Sequence, residues 1–222
     1  MILNTTIISD THVRHHKLTD NLIGGDLLIH CGDVSSTGNK GEILYFLEWF
    51  SELPYRYKVF IAGNHDFFFE REKVSSLNLL SYNNLFYLND MAITIEGLKI
   101  YGSPYQPWFH NWAFNLPRNG EELEHKWSMI PDDTDILITH GPPFGILDKT
   151  IRNNENAGCE LLRKRVDDIK PLIHTFGHIH EGYGELQTRN TLFINGSNLN
   201  EMYQYTNKPI NLIIDTETKI IV

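Results

Sequence analysis

Short apolar runs that stop abruptly at polar groups recur along the chain. Thr5-Thr6-Ile7-Ile8 gives way to Ser9-Asp10-Thr11-His12, and residues 26–31 stay almost continuously apolar up to Gly32-Asp33. Residues 57–62 stop at Gly63-Asn64-His65-Asp66, residues 135–139 at His140-Gly141-Pro142-Pro143, and residues 172–176 at Gly177-His178-Ile179-His180. Such runs, bounded by Gly and Pro, predict buried strands. Between them the apolar spacing predicts helices over residues 41–53, 121–130 and 158–169, the last ending before Pro171. Strand, helix, strand implies parallel βαβ units. In open sheets of that kind the ligand crevice lies beyond the carboxyl ends of the strands, where the Asp, Asn and His of this chain accumulate.

The second half changes character. Residues 92–95 and 99–101 flank Glu96-Gly97, residues 184–187 and 191–194 flank Arg189-Asn190, and residues 210–214 and 219–222 flank Asp215-Thr216-Glu217-Thr218. All three read as antiparallel hairpins. The expected architecture is α/β, with two mixed sheets in a single domain spanning residues 1–222.

Composition narrows the function. At 222 residues and 41% hydrophobic content the chain has matter for a full core, which excludes intrinsic disorder. Its 28 acidic against 19 basic residues give a net charge of -9, which argues against gripping long nucleic acids. Two cysteines, Cys31 and Cys159, make no disulfide scaffold. The start of the chain carries no basic and apolar signal segment, no apolar run approaches the roughly 18 to 20 residues that cross a bilayer, and no Lys/Arg cluster marks an anionic surface. A cytoplasmic protein with no membrane role is expected, its oligomeric state open.

The 11 histidines are the outlier. In an extended segment side chains i and i+2 point the same way, so Asp10 and His12 reach one cation, as do His178 and His180. Each motif alone also reads as a turn cap or a surface histidine; five together at five strand ends do not fit independent capping. Imidazoles, carboxylates and an amide oxygen without thiolates suit divalent Mn, Fe, Zn, Co, Ni or Mg rather than a structural zinc site. Asp10, His12, Asp33, Asn64, His140, His178 and His180 exceed the needs of one tetrahedral ion, and two metals sharing Asp33 account for the surplus.

This ordered set, over residues 7–196, resembles the calcineurin-like metallophosphoesterase superfamily. Within it, Ser103-Pro104-Tyr105-Gln106-Pro107, Trp112-Ala113-Phe114-Asn115-Leu116-Pro117, His180-Glu181-Gly182-Tyr183-Gly184 and Asn195-Gly196-Ser197 resemble the metallophosphoesterase-domain-containing group, whose members hydrolyse cyclic nucleotides and aryl phosphodiesters. The resemblance implies two sheets packed face to face with helices outside. It implies Asp10, His12 and His180 on a first ion, Asn64, His140 and His178 on a second, and Asp33 as the bridge. Some members of the group carry Gly in place of the first His of the Gly-His-x-His motif and are inactive; His178 is present here. The implied activity is a binuclear phosphodiesterase, with manganese favoured and a small phosphodiester such as a cyclic nucleotide as substrate. Its nucleophile would be a metal-bound hydroxide and its general acid His65. A phosphomonoesterase or nuclease of the same superfamily, or a non-catalytic binding module, are the alternatives.

Asp66 has two readings, orienting the His65 imidazole or capping a helix that begins at Phe67. His30 and His174, inside strands, read as core residues, and Cys31 as a small apolar one. His15, His16 and His125 read as surface residues, with Arg14 and His15 near enough to Asp10-Thr11-His12 to touch a substrate. The aromatic segment Trp108-Phe109-His110-Asn111-Trp112 reads either as a loop pinned by its own rings or as a platform for a base, with His110 and Trp112 as the substrate contacts.

Overall fold

A computed structural model describes residues 1–72, 77, 82 and 84–222. In chain order the elements are β1 (Ile2–Ile8), β2 (Gly25–His30), α1 (Lys40–Glu52), β3 (Tyr55–Phe60), α2 (Phe67–Arg71), β4 (Leu85–Tyr87), β5 (Met91–Ile95) and β6 (Leu98–Ser103). There follow β7 (Gln106–Pro107), β8 (Asn115–Leu116), α3 (Glu121–Ser128), β9 (Ile136–Thr139), α4 (Glu160–Ile169), β10 (Ile173–Phe176), β11 (Gly184–Gln187), β12 (Leu192–Asn195), β13 (Ile210–Asp215) and β14 (Ile220–Ile221). One six-stranded sheet has the order β14-β13-β1-β2-β3-β4 and the other β11-β12-β10-β9-β6-β5. Each has a run of four parallel strands, β1-β2-β3-β4 in the first and β12-β10-β9-β6 in the second, flanked by the antiparallel β13 and β14 on one side of the first and by the antiparallel β11 and β5 on the two sides of the second.

The two-residue side-chain period of a strand sorts this sequence into layers. Ile7, Leu27, Ile29, Val59 and Ile61 of the first sheet meet Ile100, Ile136, Ile138, Ile173 and Ile194 of the second in one buried cluster. Their neighbours Ile8, Leu28 and Phe60 point the other way, onto Ile43, Phe46, Leu47 and Phe50 of α1. On the far side Tyr101, Leu137, Phe176 and Phe193 pack on Leu123 and Trp127 of α3 and Leu162 and Val166 of α4. The result is helix, sheet, sheet, helix. Each fully buried Leu, Ile or Phe contributes about 1.5–3 kcal/mol, which is why runs apolar on both faces become central strands.

All five expected strands and three expected helices form, with bounds shifted by a few residues, and the three hairpins pair as antiparallel strands. Several elements were unforeseen. A 3-10 helix covers His15–Asn21, β4 extends the first sheet, and β7 pairs with β8. His15 is a correction: it is fully buried, its ring lying 4.7 Å from Trp49 and 4.8 Å from Tyr45. The compact 3-10 turn swings it onto α1, where it leaves no exposed surface for a substrate to touch. His30 and His174 are buried in the outer layers, His30 against Phe46 and His174 against Phe176.

Candidate metal centre

The polar side chains that end the strands converge at one end of the seam between the sheets. Asp10 and His12 follow β1, Asp33 follows β2, Asn64 and His65 follow β3, His140 follows β9, and His178 and His180 follow β10. The backbone bends sharply to aim them: Asp10, His12, Asp33 and His178 all have positive φ, at 54°, 40°, 56° and 67°. Left-handed backbone in non-glycine residues is held against a steric cost and clusters at functional sites. Two motif glycines are required for clearance. A Cβ on Gly177 would collide with Asp10 Oδ2 and Ser9 Oγ, and one on Gly63 with Asp33 Oδ1 and His140.

Four imidazoles share one mode of support. His12 Nδ1 donates to the Ser35 carbonyl at 3.2 Å, His65 Nδ1 to Ser36 at 2.8 Å, His140 Nδ1 to Cys31 at 2.9 Å and His180 Nδ1 to Asn200 at 2.9 Å. A carbonyl only accepts, so each ring carries its hydrogen on Nδ1 in the neutral form and leaves Nε2 as the lone-pair nitrogen. Three of those Nε2 atoms face the carboxylates: His180 is 3.4 Å from Asp10, His140 is 3.4 Å from Asp33, and His12 is 3.7 Å from Asp33. Ligand atoms of three trios, Asp10/His12/His180, His12/Asp33/His65 and Asp10/Asp33/His140, lie within 4.8 Å of one another. Asn64 Oδ1 sits 2.9 Å from His140 Nε2. His178 joins none of these trios; its ring lies 5.0 Å from that of His140 and its backbone N–H donates to Asp10.

Electrostatics agree with a cation site. Burial opposes ionisation of Asp10, yet the hydrogen-bonded His180 and the nearby His140 and His12 hold its carboxyl well below the usual range. Asp33 is likewise depressed, burial being outweighed by His140, His65 and His12. Burial alone would lower His140 and His180, but Asp33 and Asp10 respectively raise each to about 9. Burial wins at His12, lowered to about 4, and at His178, lowered to about 3. Two buried carboxylates therefore draw protons onto neighbouring imidazoles, a role divalent cations take over by displacing those protons. Among the described residues the buried His12 Nε2 has no hydrogen-bond partner, as expected of an atom aimed at an ion. The donor set fits the metals expected of it.

Other candidate residues are redistributed. The Asp66 carboxylate accepts from Val34 N, Ser35 N, Ser35 Oγ and Gly63 N, so it neither touches the His65 ring nor caps α2. It ties the loop after β2 to the loop after β3. Glu42 pins the same Ser35-Ser36 stretch from α1 by accepting from the backbone of Ser36, Thr37 and Gly38. Arg14 donates to the Tyr203 carbonyl at 2.7 Å. The aromatic segment reaches the centre: Trp112 lies on the His65 ring at 4.1 Å and 31°, and Phe109 is 4.9 Å from His178. His110 is exposed and lines, with Trp108, Phe109, Gly141, Arg152 and His178, a cleft of about 690 Å³. Tyr203, which no sequence motif marks, joins the centre with its ring 4.9 Å from His12 and 5.4 Å from His180.

Residues 3–182 match the family model described as calcineurin-like phosphoesterase. The chain belongs to that family. Among similar proteins, metallophosphoesterase domain-containing protein 1 of Homo sapiens is 42% identical over 95% of this chain and 70% of its own length. UPF0046 protein K07C11.7 of Caenorhabditis elegans is 36% identical over 97% of this chain and 77% of its own. The solved structure of TT1561 of Thermus thermophilus superposes with a TM-score of 0.64 at 14% identity, covering 100% of this chain and 98% of that one, which shows a shared fold. For this phosphoesterase family member, metal-dependent hydrolysis of phosphoric esters is the coarse activity supported by family and site together. Among the described residues no helix is long and apolar enough to cross a membrane.

Proposed function

We propose that the protein is a binuclear-metal phosphodiesterase acting on small phosphodiesters, cyclic nucleotides among them, in the cytoplasm. The observation that carries this is the set of three imidazoles, His12, His140 and His180, locked through Nδ1 to backbone carbonyls with Nε2 turned toward Asp10 and Asp33. Asp10, His12 and His180 would hold one ion, Asn64, His140 and His178 the other, with Asp33 between them and manganese as the favoured metal. When bound, such ions polarise phosphoryl oxygens and lower the pKa of water, which suits in-line displacement at phosphorus.

The chain's own residues supply the remaining steps. His65 would act as the general acid in its imidazolium form: Nδ1–H···O=C to Ser36 fixes the ring beside Asp33 and His12, and the second proton, on Nε2, is the one the leaving alkoxide takes. Its backbone N–H donates to Asp33 Oδ1 at 2.8 Å, so acid and bridging carboxylate are positioned together. Trp112 lies over the His65 ring and keeps it from rotating. The cleft beside His178, with Trp108, Phe109 and His110 on one wall, has the size of a small-ligand site and receives an ester substituent. A net charge of -9 supports a small diester over a polynucleotide.

The test is hydrolysis of an aryl phosphodiester beside its monoester, by protein stripped of metal and resupplied with Mn, with Asn64→Ala and His65→Ala as controls. Diester preference, restored by metal and lost in both variants, supports the proposal. Monoester preference, or no metal-dependent turnover, overturns it.

A further inference from the structure

The two halves of the centre are supported differently. Every member of the Asp10/His12/His180 trio is touched by one segment, residues 197–203, which leaves the carboxyl end of β12. Ser197 Oγ donates to Asp10 Oδ2 at 2.8 Å, the Asn200 carbonyl accepts from His180 Nδ1 at 2.9 Å, and the Tyr203 ring packs edge-on to His12 at 4.9 Å. On the other side His140 is oriented by the Cys31 carbonyl and by Asn64, and the His178 ring packs on Phe109. Those partners belong to loops after β2 and β3 and to the aromatic segment.

Residues 197–203 form a strap with its own internal order. Asn200 is its hub: its Oδ1 accepts from Met202 N and Gln204 N, and its carbonyl accepts from Tyr203 N as well as from His180. The near end is stitched to β1 through Asn198, which exchanges hydrogen bonds with the backbone of Ser9. The far end carries Tyr203 at φ 56°, a left-handed conformation that costs energy for a residue with a side chain. Arg14, exposed on the turn after His12, closes the strap over that strained residue by donating to its carbonyl at 2.7 Å. Arg14 thus reaches the centre through Tyr203.

We infer that Tyr203 is a positioning residue for one metal only: the strap, latched by Arg14, sets the affinity of the Asp10/His12/His180 ion independently of its neighbour. The inference rests on the metal-centre reading above. Removing groups that orient metal ligands costs about 10–100-fold in metal affinity, so a strap confined to one trio makes that loss selective.

The experiment is calorimetric titration of Mn²⁺ into the full chain after chelator stripping, for the native protein, Tyr203→Ala, Tyr203→Phe and Arg14→Ala, with far-UV circular dichroism to verify folding. The expected result is two binding events in the native protein, one of them weakened about tenfold or more in Tyr203→Ala while the other changes less than about twofold. Tyr203→Phe keeps the ring and restores native binding, and Arg14→Ala, which touches no ligand, weakens the same event by a smaller factor. Parallel weakening of both events, or native binding in both Tyr203→Ala and Arg14→Ala, overturns the inference. Fewer than two ions on the native protein overturns it together with the binuclear reading. Selective weakening in a protein that hydrolyses no phosphoester supports it while overturning the proposed activity.

Discussion

Acid should destabilise this protein through His174, a buried histidine that is not among the candidate metal ligands. Thr139 Oγ1 donates its one hydrogen to the Gly141 carbonyl at 2.8 Å, so at 2.8 Å from His174 Nε2 it must accept. The His174 ring therefore carries its hydrogen on Nε2, and its bare Nδ1 is buried with no partner among the described residues, the ring lying 5.1 Å from Phe176 and 5.8 Å from Phe193. Protonating Nδ1 would place a charge and an unpaired N–H among those rings, and burial lowers the pKa from 6.5 to about 3. Between those values the unfolded chain binds a proton that the folded one refuses. The associated stability is full above about pH 6.5 and is lost as pH falls toward 3. At pH 5 the loss is 1.36 kcal/mol for each of about 1.5 pH units, or about 2 kcal/mol. His30, lowered to about 3 by the same burial, adds a similar loss. The assay is urea unfolding of metal-free native protein and His174→Leu at pH 7 and pH 5. The variant should lose about 2 kcal/mol less between the two pH values, whatever its stability at pH 7. An equal loss in both proteins would refute the argument.

Gly177→Ala should abolish metal binding with the fold retained by circular dichroism, because its Cβ claims the space of Asp10 Oδ2 and Ser9 Oγ. Asp66→Ala strands the N–H groups of Val34, Ser35 and Gly63, and at about 1–3 kcal/mol for each unsatisfied group should lower the free energy of unfolding by roughly 3 kcal/mol or more in urea. His65→Ala should reduce diester turnover by about 10²–10⁴-fold while calorimetry still records two bound ions. Adding Mn²⁺ at about 100 times its dissociation constant should stabilise the protein by about 2.7 kcal/mol per ion in thermal melts, and a chelator should reverse the gain.

The layers and the candidate ligands were legible because both are written in side chains. Apolar runs ending in Asp, Asn or His marked the five strands that deliver Asp10, Asp33, Asn64, His140 and His178, and the alternation of Ile7 with Ile8 or Val59 with Phe60 encoded which layer each residue joins. What supports those ligands was not legible, for a physical reason. Ser35, Ser36, Cys31 and Asn200 act through backbone carbonyls, which every residue type possesses, so their identities carry no signal. Asp66 sat beside His65 in sequence, yet the turn directs its carboxylate back onto the loop after β2. His15 followed a polar run and read as exposed, whereas the 3-10 turn folds it onto Trp49. Tyr203 lies in a segment without apolar periodicity, and its approach to His12 depends on a left-handed backbone and on Arg14, 189 residues earlier.

The centre draws Asp10, His12, Asp33 and Asn64 from one sheet and His140, His178 and His180 from the other, and this makes it a gauge of how the sheets sit on each other. Sliding one sheet past its partner by a single residue moves three of these seven candidate ligands by about 3.3 Å relative to the other four, whereas coordination tolerates about 0.2 Å. Apolar packing across the seam has no comparable sharpness: Ile against Ile survives small offsets. On heating, the site should therefore fall silent while both sheets are still paired and buried, and ions bound across the seam would act as rivets that postpone that slippage.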